Sequence, residues 1–161
     1  MLYHGSKTYI EDCLEPRVSF ELEKWVYATD DYFYALLRCG NFDITKSLAR
    51  EEHEWGKHSL CEVVPGAFEE LFDRPGYIYE VDESLFTKLR DGEYVADKDV
   101  PIVKCIHIEN IWKELQRYPD VYELISYEDS EPYWKKVRGG KEGYLERRRN
   151  SVNKIKALID I

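Results

Sequence analysis

Three neighbouring residues near the start of the chain, His4, Gly5 and Ser6, are unusual choices for a strand. Valine or isoleucine is more common at such a strand position, and a turn more commonly has asparagine or aspartate before glycine. A glycine lets another molecule approach the backbone closely, so that its N–H and C=O can pair with a planar carboxamide. The histidine can donate a hydrogen bond to a sugar hydroxyl. Taken alone, however, the three residues favour a solvent-exposed strand end.

Two further positions place a residue suited to a polar cleft beside an apolar strand. Tyr27 lies where a strand leads directly into a helix, and its ring can lie flat against a bound molecule. Glu93 begins a short apolar strand, where a carboxylate is costly if it is buried without a partner. In a cleft it can stabilise the positive charge that grows on a ribose ring as a glycosidic bond breaks. The alternatives are a core tyrosine and an edge-strand glutamate that points to water.

Hydrophobic periodicity and end signals predict the elements that position these residues. The predicted strands are residues 1–4, 24–29, 76–82, 93–96 and 102–108, the last of them apolar enough to be central. The predicted helices are residues 31–38, 43–56, 66–72, 111–118, 120–127 and the stretch from Lys141 onward, with Gly139-Gly140 as a hinge. Residues 5–18 are predicted as a loop or a short helix closed by Pro16. This order predicts one α+β domain, with a core over 1–116 and a helical, basic extension over 117–161.

Length and composition indicate a globular protein. The chain has 161 residues, of which 43% are hydrophobic and 34% charged. No run approaches the roughly 18 apolar residues that a membrane span needs, and the N-terminus lacks a basic cluster followed by an apolar stretch. We therefore expect no membrane association, no signal peptide and a cytoplasmic location.

The net charge of −9 is unevenly distributed. Residues 133–161 contain nine basic and three acidic residues, a charge of +6, which leaves −15 for residues 1–132. An acidic body disfavours general nucleic-acid binding, because that binding depends on neutralising phosphates. The basic tail from Lys135 to Lys156 has two interpretations: a solvated helix face, which we favour, or a contact surface for RNA, DNA or an acidic partner.

The cysteines and histidines predict no metal site. The four cysteines are scattered without a C-x-x-C pair, which argues against a disulfide framework and a structural zinc site; they are Cys13, Cys39, Cys61 and Cys105. His53 and His58 lie near Cys61, but a separation of five would place the two histidines on different faces of a helix.

Taken together, three blocks of the sequence resemble the ADP-ribosyltransferase superfamily, in the diphtheria-toxin and poly(ADP-ribose)-polymerase branch with a His-Tyr-Glu triad. LYHGS resembles the first-strand block, VYATDDYFYALLRC the strand-then-helix block with a stacking tyrosine, and GEYVADKDVPIVKCIHI the block with the catalytic glutamate. They occur in the family's order over residues 1 to 109. The resemblance implies split mixed β-sheets with flanking helices.

The resemblance also implies a role for each matching residue, with NAD as substrate and no metal. His4 would hydrogen-bond the adenine-side ribose, and Gly5 would hold the nicotinamide carboxamide through its backbone. Ser6 would lie by the nicotinamide ribose, and Tyr27 would stack on the nicotinamide ring. Glu93 would bind the ribose 2′-hydroxyl, orient the acceptor and stabilise the oxocarbenium ion. The segment from 84 to 92 would be the loop that touches the acceptor.

The sequence departs from this pattern at the second stacking tyrosine of many relatives. Arg38 occupies that position, eleven residues after Tyr27, with Tyr32 and Tyr34 as nearby substitutes. Asp91 lies two residues before Glu93, where arginine-modifying relatives have glutamate, and it leaves the acceptor open. A rival for the catalytic carboxylate is Glu80, which we rank below Glu93 because the residues after it do not match the family block.

The leading hypothesis is an ADP-ribosyltransferase that moves ADP-ribose from NAD to a macromolecule, with protein favoured over nucleic acid as acceptor. The alternatives are an NAD glycohydrolase, an RNA 2′-phosphotransferase of the same superfamily, and a catalytically silent module that binds nucleotide or protein. The phosphotransferase ranks lower, because residues 1–34 offer few basic side chains to hold RNA phosphates, namely Lys7, Arg17 and Lys24.

Overall fold

The computed structural model describes residues 1–18, 22–40, 48–53 and 57–159, and it is a mixed α+β structure. The strands are β1 (Leu2–Ser6), β2 (Cys13–Leu14), β3 (Arg17–Val18), β4 (Lys24–Ala28), β5 (Leu48–His53), β6 (Lys57–Glu62), β7 (Gly76–Val81), β8 (Thr87–Arg90), β9 (Glu93–Ala96), β10 (Val100–Pro101), β11 (Lys104–Ile108) and β12 (Tyr122–Ile125). The helices are α1 (Tyr32–Arg38), α2 (Ala67–Phe72), α3 (Ile111–Gln116), α4 (Glu131–Lys136) and α5 (Gly140–Ile159). The α+β class predicted from the sequence is confirmed.

The contacts within the chain group it into two compact units. The first consists of Met1–Phe42 and Phe72–Glu114, and the second of Asp43–Leu71 and Leu115–Ile161. The second unit therefore includes residues from the middle of the chain as well as the C-terminal helix. The predicted single domain with a core over 1–116 stays a prediction.

Two antiparallel sheets form the framework of the first unit. One has the strand order β1-β7-β11 and the other the order β3-β4-β9-β8, while β10 pairs with β2. An isolated bridge joins β1 to the residue after β4: the Tyr3 N–H donates to the Thr29 carbonyl (2.8 Å), and the Thr29 N–H donates to the Tyr3 carbonyl (2.9 Å). Residues of both sheets share one buried cluster, made of Leu2, Leu14, Val26, Ala28, Tyr79, Val81, Ala96 and Val100.

Helix α1 has an aspartate as its N-cap and packs against β1. The Asp31 carboxylate accepts hydrogen bonds from the backbone N–H groups of Phe33 (2.9 Å) and Tyr34 (3.3 Å), which satisfies donors that the first helical turn leaves without partners. The buried residues of this helix are Ala35, Leu36 and Leu37. Its prediction from the sequence is confirmed.

The second unit contains the sheet with the order β12-β6-β5. Strands β5 and β6 are antiparallel, and β12 runs parallel to β6 with Tyr122 opposite His58. Its buried cluster consists of Ala49, Cys61, Val63, Tyr133 and Trp134. The buried Glu62 carboxylate, at the end of β6, accepts from the backbone N–H groups of Phe68 (3.0 Å) and Tyr127 (3.1 Å).

Two helices predicted from the sequence are wrong where the structure describes them. Residues 48–53 of the predicted helix over 43–56 form strand β5, while 43–47 and 54–56 lie outside the described residues. The predicted helix over 120–127 contains strand β12. Both segments have charged residues of good helix propensity, yet each pairs along β6, and such tertiary pairing overrides local preference.

Three other predicted segments differ from the structure. Strand β11 covers 104–108 and lies at the edge of its sheet, because β7 is the central strand, so residues 102–108 are not a central strand. The segment 5–18 contains the end of β1 and the strands β2 and β3. The predicted acceptor loop over 84–92 consists largely of a 3-10 turn (Glu83–Leu85) and strand β8.

The remaining predicted elements are confirmed, at β4, β7, β9, α2, α3 and α5. Gly139 and Gly140 have positive φ angles of 75° and 66° at the start of α5, where the sequence predicts a hinge. Among the described residues, no helix is both long and apolar enough to cross a membrane.

Candidate functional site

His4 is held by the strand that carries Tyr27. Its Nδ1 lies 2.6 Å from the backbone carbonyl oxygen of Tyr27. A carbonyl can only accept, so Nδ1 carries the proton and donates, and in the neutral ring Nε2 is an acceptor. Burial lowers the pKa of His4, and the charges of Arg38 and Arg17 lower it further, while the hydrogen bond to Tyr27 acts in the opposite direction. His4 is therefore neutral near pH 7, and a sugar hydroxyl at Nε2 would donate to it rather than accept from it.

Gly5 is required by packing. Its backbone pairs with Ile78 of β7, and its open side faces helix α1. A Cβ atom at this position would overlap the carbonyl oxygen of Ala35 and would lie 3.1 Å from the Cβ of Arg38. The missing side chain thus lets a helix approach β1 closely, a cause that the sequence did not reveal.

The hydroxyl of Ser6 is engaged in a local turn. It donates to the Thr8 carbonyl (2.8 Å) and accepts from the Thr8 backbone N–H (3.2 Å). This turn ends β1 and starts the segment that leads to Ile10. The Ile10 N–H then donates to the buried Tyr79 hydroxyl at 2.6 Å. The contacts of Ser6 therefore shape the chain beside His4.

Tyr27 lies on β4, directly opposite Val95 of β9. Its half-buried ring is 6.0 Å from that of Trp25, with an interplanar angle of 69°. Because alternate residues of a strand point to the same face, Trp25 and Tyr27 form an aromatic pair on the face opposite the buried Val26. The ring is thus placed at the sheet surface rather than in the core.

Glu93 begins β9, the strand that pairs with the Tyr27 strand β4. Ala28 lies opposite Tyr94, so continuing this register by one residue brings Thr29 opposite Glu93. Thr29 is also the residue that bridges to Tyr3, next to His4. The Glu93 side chain, 28% exposed, lies with its Oε2 3.2 Å from the Nε of Arg90. This ion pair was not anticipated from the sequence.

Arg38 and Tyr34 lie on α1 beside the His4-Gly5 block. The Arg38 guanidinium is 6.0 Å from the centroid of the Tyr34 ring, a cation–π arrangement. The Cβ of Arg38 is close to Gly5, and its charge reaches His4. The structure therefore places His4 against the backbone of Tyr27 and, on α1, Arg38 with Tyr34 beside it against Gly5.

The two other carboxylates considered above lie elsewhere. Glu80 is on the central strand β7, between Tyr3 and Lys104 of the neighbouring strands. Asp91 is fully exposed, and a hydrogen bond and the charge of Lys88, whose Nζ is 2.8 Å away, lower the pKa of Asp91. A surface depression is lined by Pro16, Lys24, Asp97, Lys98 and Asp99, none of which is a predicted site residue.

The described part of the chain contains no group of three or more His, Cys, Asp or Glu side chains that could hold a metal ion. The two histidines considered for a metal lie on paired antiparallel strands: His53 ends β5 opposite Lys57, and His58 is buried in β6 against Tyr122. The helix-face argument against a metal site therefore does not apply to these two histidines, which lie on paired strands.

The sequence matches no protein-family model, and no curated protein or solved structure matches the chain. Assignment of a function therefore depends on the residues and on the geometry of the site.

Proposed function

We propose that the protein is an NAD-dependent ADP-ribosyltransferase that moves ADP-ribose from NAD to a macromolecular acceptor and releases nicotinamide. The first unit would then have the split-sheet fold of that superfamily. The observation that carries the proposal is the 2.6 Å hydrogen bond between His4 and the Tyr27 carbonyl, which joins the first two blocks of the resemblance. The pairing of β4 with β9 joins the third block to them.

In this proposal, the chemistry needs little covalent help from the protein. The bond between C1′ of the ribose and the nicotinamide nitrogen breaks, and its electron pair goes to the nicotinamide, which leaves as a neutral molecule. The Glu93 carboxylate stabilises the positive charge left on the ribose and binds its 2′-hydroxyl. The acceptor nucleophile then bonds to C1′ and loses its proton to solvent.

The other residues position the substrate. Tyr27 offers its ring to the nicotinamide, and Gly5 offers backbone groups. His4, neutral and with its Nδ1 proton committed to Tyr27, accepts from a ribose hydroxyl through Nε2. Substrate binding would require Glu93 to exchange Arg90 for the ribose. That exchange is inexpensive, because a partly exposed ion pair contributes about 1 kcal/mol or less.

Transfer of label from NAD to proteins of a cell extract tests the proposal, with Glu93→Gln and Glu80→Gln as a matched pair of variants. We expect Glu93→Gln to lose about a hundredfold or more in rate, by analogy with the loss of one electrostatic contact to a transition state. Glu80→Gln should retain transfer. Loss with Glu80→Gln alone would move the carboxylate role to Glu80. Absence of transfer by the wild type, together with no release of free nicotinamide, would contradict the proposal.

The glycohydrolase alternative predicts a different product balance. If water is the acceptor, purified protein releases nicotinamide from NAD at the same rate with and without extract, and no macromolecule is labelled. A rate that depends on the extract favours transfer instead.

A second candidate, a catalytically silent binding module, is favoured by two contacts. Arg90 occupies the Glu93 carboxylate, and Arg38 stands where many relatives have a second stacking tyrosine. A silent module would be stabilised by NAD or ADP-ribose, by about 2.7 kcal/mol at one hundred times the dissociation constant, without consuming NAD. Thermal unfolding with each ligand, followed by analysis of the remaining NAD, distinguishes the two candidates.

A further inference from the structure

Three aromatic side chains of the first unit form a continuous array at the sheet β1-β7-β11. Tyr77 lies on the central strand, directly opposite His107 of β11, and the centroids of the two rings are 5.1 Å apart with an interplanar angle of 31°. The ring of Tyr9, in the segment after β1, is 5.5 Å from that of Tyr77 at an angle of 62°. Tyr9 is 62% exposed and His107 is also exposed, so two of the three rings are accessible to solvent. We call these three residues the aromatic platform.

The segment that carries Tyr9 is held against the sheet at a second point. The backbone N–H of Ile10 donates to the hydroxyl of the buried Tyr79 at 2.6 Å. Tyr77 and Tyr79 are alternate residues of β7, so their side chains share one face of the sheet. The position of Tyr9 beside Tyr77 is therefore set by a backbone contact as well as by its own ring.

The aromatic platform lies on the face of the sheet that carries His4. Tyr77 is directly opposite Ser6, and Ser6 and His4 are alternate residues of β1, about 6.6 Å apart along the strand. In the other direction along β1, Leu2 is completely buried, and Tyr79, opposite His4, is buried as well. A ligand group that extends from His4 along this face can therefore extend toward the platform but not toward Leu2.

We propose that the aromatic platform of Tyr9, Tyr77 and His107 is the stacking site for the adenine base of the dinucleotide. The inference rests on the proposed function, in which His4 accepts a hydrogen bond from a hydroxyl of the adenine-side ribose, the sugar that the resemblance assigns to it. The base on that ribose is one sugar ring away from the hydroxyl, a separation comparable to the two-residue step from His4 to the platform. Every nucleobase has a flat π-face, which aromatic side chains hold by stacking.

Isothermal titration with fragments of NAD tests the platform without turnover. AMP and ADP-ribose contain the adenine base, whereas nicotinamide mononucleotide contains the other ribose with its phosphate and no adenine. Tyr9→Leu and His107→Leu each remove an exposed ring and keep an apolar side chain, while Tyr9→Phe keeps the ring. Tyr127→Leu removes an exposed tyrosine of the second unit and is the matched control.

We expect Tyr9→Leu and His107→Leu to bind AMP and ADP-ribose about tenfold more weakly, which equals about 1.4 kcal/mol. Tyr9→Phe should retain most of the AMP affinity, because the face of the ring and not its hydroxyl makes the contact. The affinity for nicotinamide mononucleotide should be the same in every variant, and Tyr127→Leu should change no affinity.

The outcomes separate this inference from the proposed function. If ADP-ribose binds and the leucine variants of the platform leave its affinity unchanged, or weaken nicotinamide mononucleotide equally, the adenine site is overturned and the proposed function survives. If AMP binds through the platform but NAD is neither bound nor consumed, the base site stands, while its dinucleotide occupant and the proposed function fail. If Tyr9→Leu changes the sedimentation coefficient instead of the AMP affinity, the platform is an interface between copies of this chain and the inference is overturned. If neither AMP nor ADP-ribose binds, both proposals fail.

Discussion

Each unit contains one contact that we expect to matter for its stability, and the two contacts differ in kind. In the first, Gly5 allows the backbone of α1 to lie directly against β1, and the contact depends on the absence of atoms. In the second, the buried Glu62 carboxylate receives two backbone N–H groups, from Phe68 and Tyr127, and the contact depends on their presence. Added side-chain volume should therefore destabilise the first unit, and loss of a hydrogen-bond acceptor should destabilise the second.

The largest expected effect is that of Gly5→Ala. A Cβ at this position overlaps the carbonyl oxygen of Ala35, which is backbone and cannot rotate away. The helix or the strand must move, so we expect a loss of about 3 kcal/mol or more in the free energy of unfolding, at the upper end of overpacking effects. Urea unfolding followed by circular dichroism measures it.

Gly92→Ala is the control for this comparison, because nothing lies within 4 Å of a Cβ there and only its φ of +80° is unfavourable. That conformational cost is about 1 kcal/mol. Equal losses for the two variants would show that the approach of α1 to β1 is not the reason for glycine at position 5.

Removal of the acceptor in the second unit should have a smaller effect. Glu62→Ala removes the acceptor of two backbone N–H groups, that of Phe68 buried and that of Tyr127 part-buried, and we expect a loss of about 2 kcal/mol. Glu62→Gln keeps one carbonyl oxygen and should lose about half as much. Glu128→Ala, at an exposed position of the same unit, should change the urea midpoint little. If Glu62→Gln is as damaging as Glu62→Ala, the charge matters more than the number of acceptors.

The same contrast explains which elements could be predicted. Helix α1 carries its own signals, with Asp31 as its N-cap and Gly40 after its end, so a short window of sequence suffices. Strand β12 has no comparable local signals. What determines it is pairing with β6, which lies about 60 residues earlier in the chain. Charged side chains on β5 satisfied a helical pattern equally well. Only the pairing with β6 decides between the two structures, and a local window does not contain it.

The candidate site shows a similar limit. The resemblance assigned His4, Tyr27 and Glu93 to one site, and that assignment stays a prediction. In the structure His4 contacts the Tyr27 carbonyl, and Tyr27 lies on the strand that pairs with the strand begun by Glu93. The contact between Gly5 and α1 could not be predicted, because it depends on how closely a helix packs.

The smallest expected effect concerns pH and the first unit alone. The folded pKa of His4 lies below the usual 6.5, mainly because the ring is buried, so the unfolded chain binds a proton more readily than the folded one. The stabilisation from neutral His4 is complete above pH 6.5 and is lost as the pH falls from 6.5 towards the folded pKa. The unfolding free energy cannot change by more than about 1.4 kcal/mol per pH unit for one proton.

His4→Gln keeps a donor for the Tyr27 carbonyl and does not titrate. The difference in unfolding free energy between wild type and His4→Gln should thus shrink between about pH 7 and pH 5.5. A difference that stays constant over this range would mean that His4 charges as easily in the folded chain as in the unfolded one. The imidazole would then not be the neutral acceptor on which its role toward a ribose hydroxyl depends.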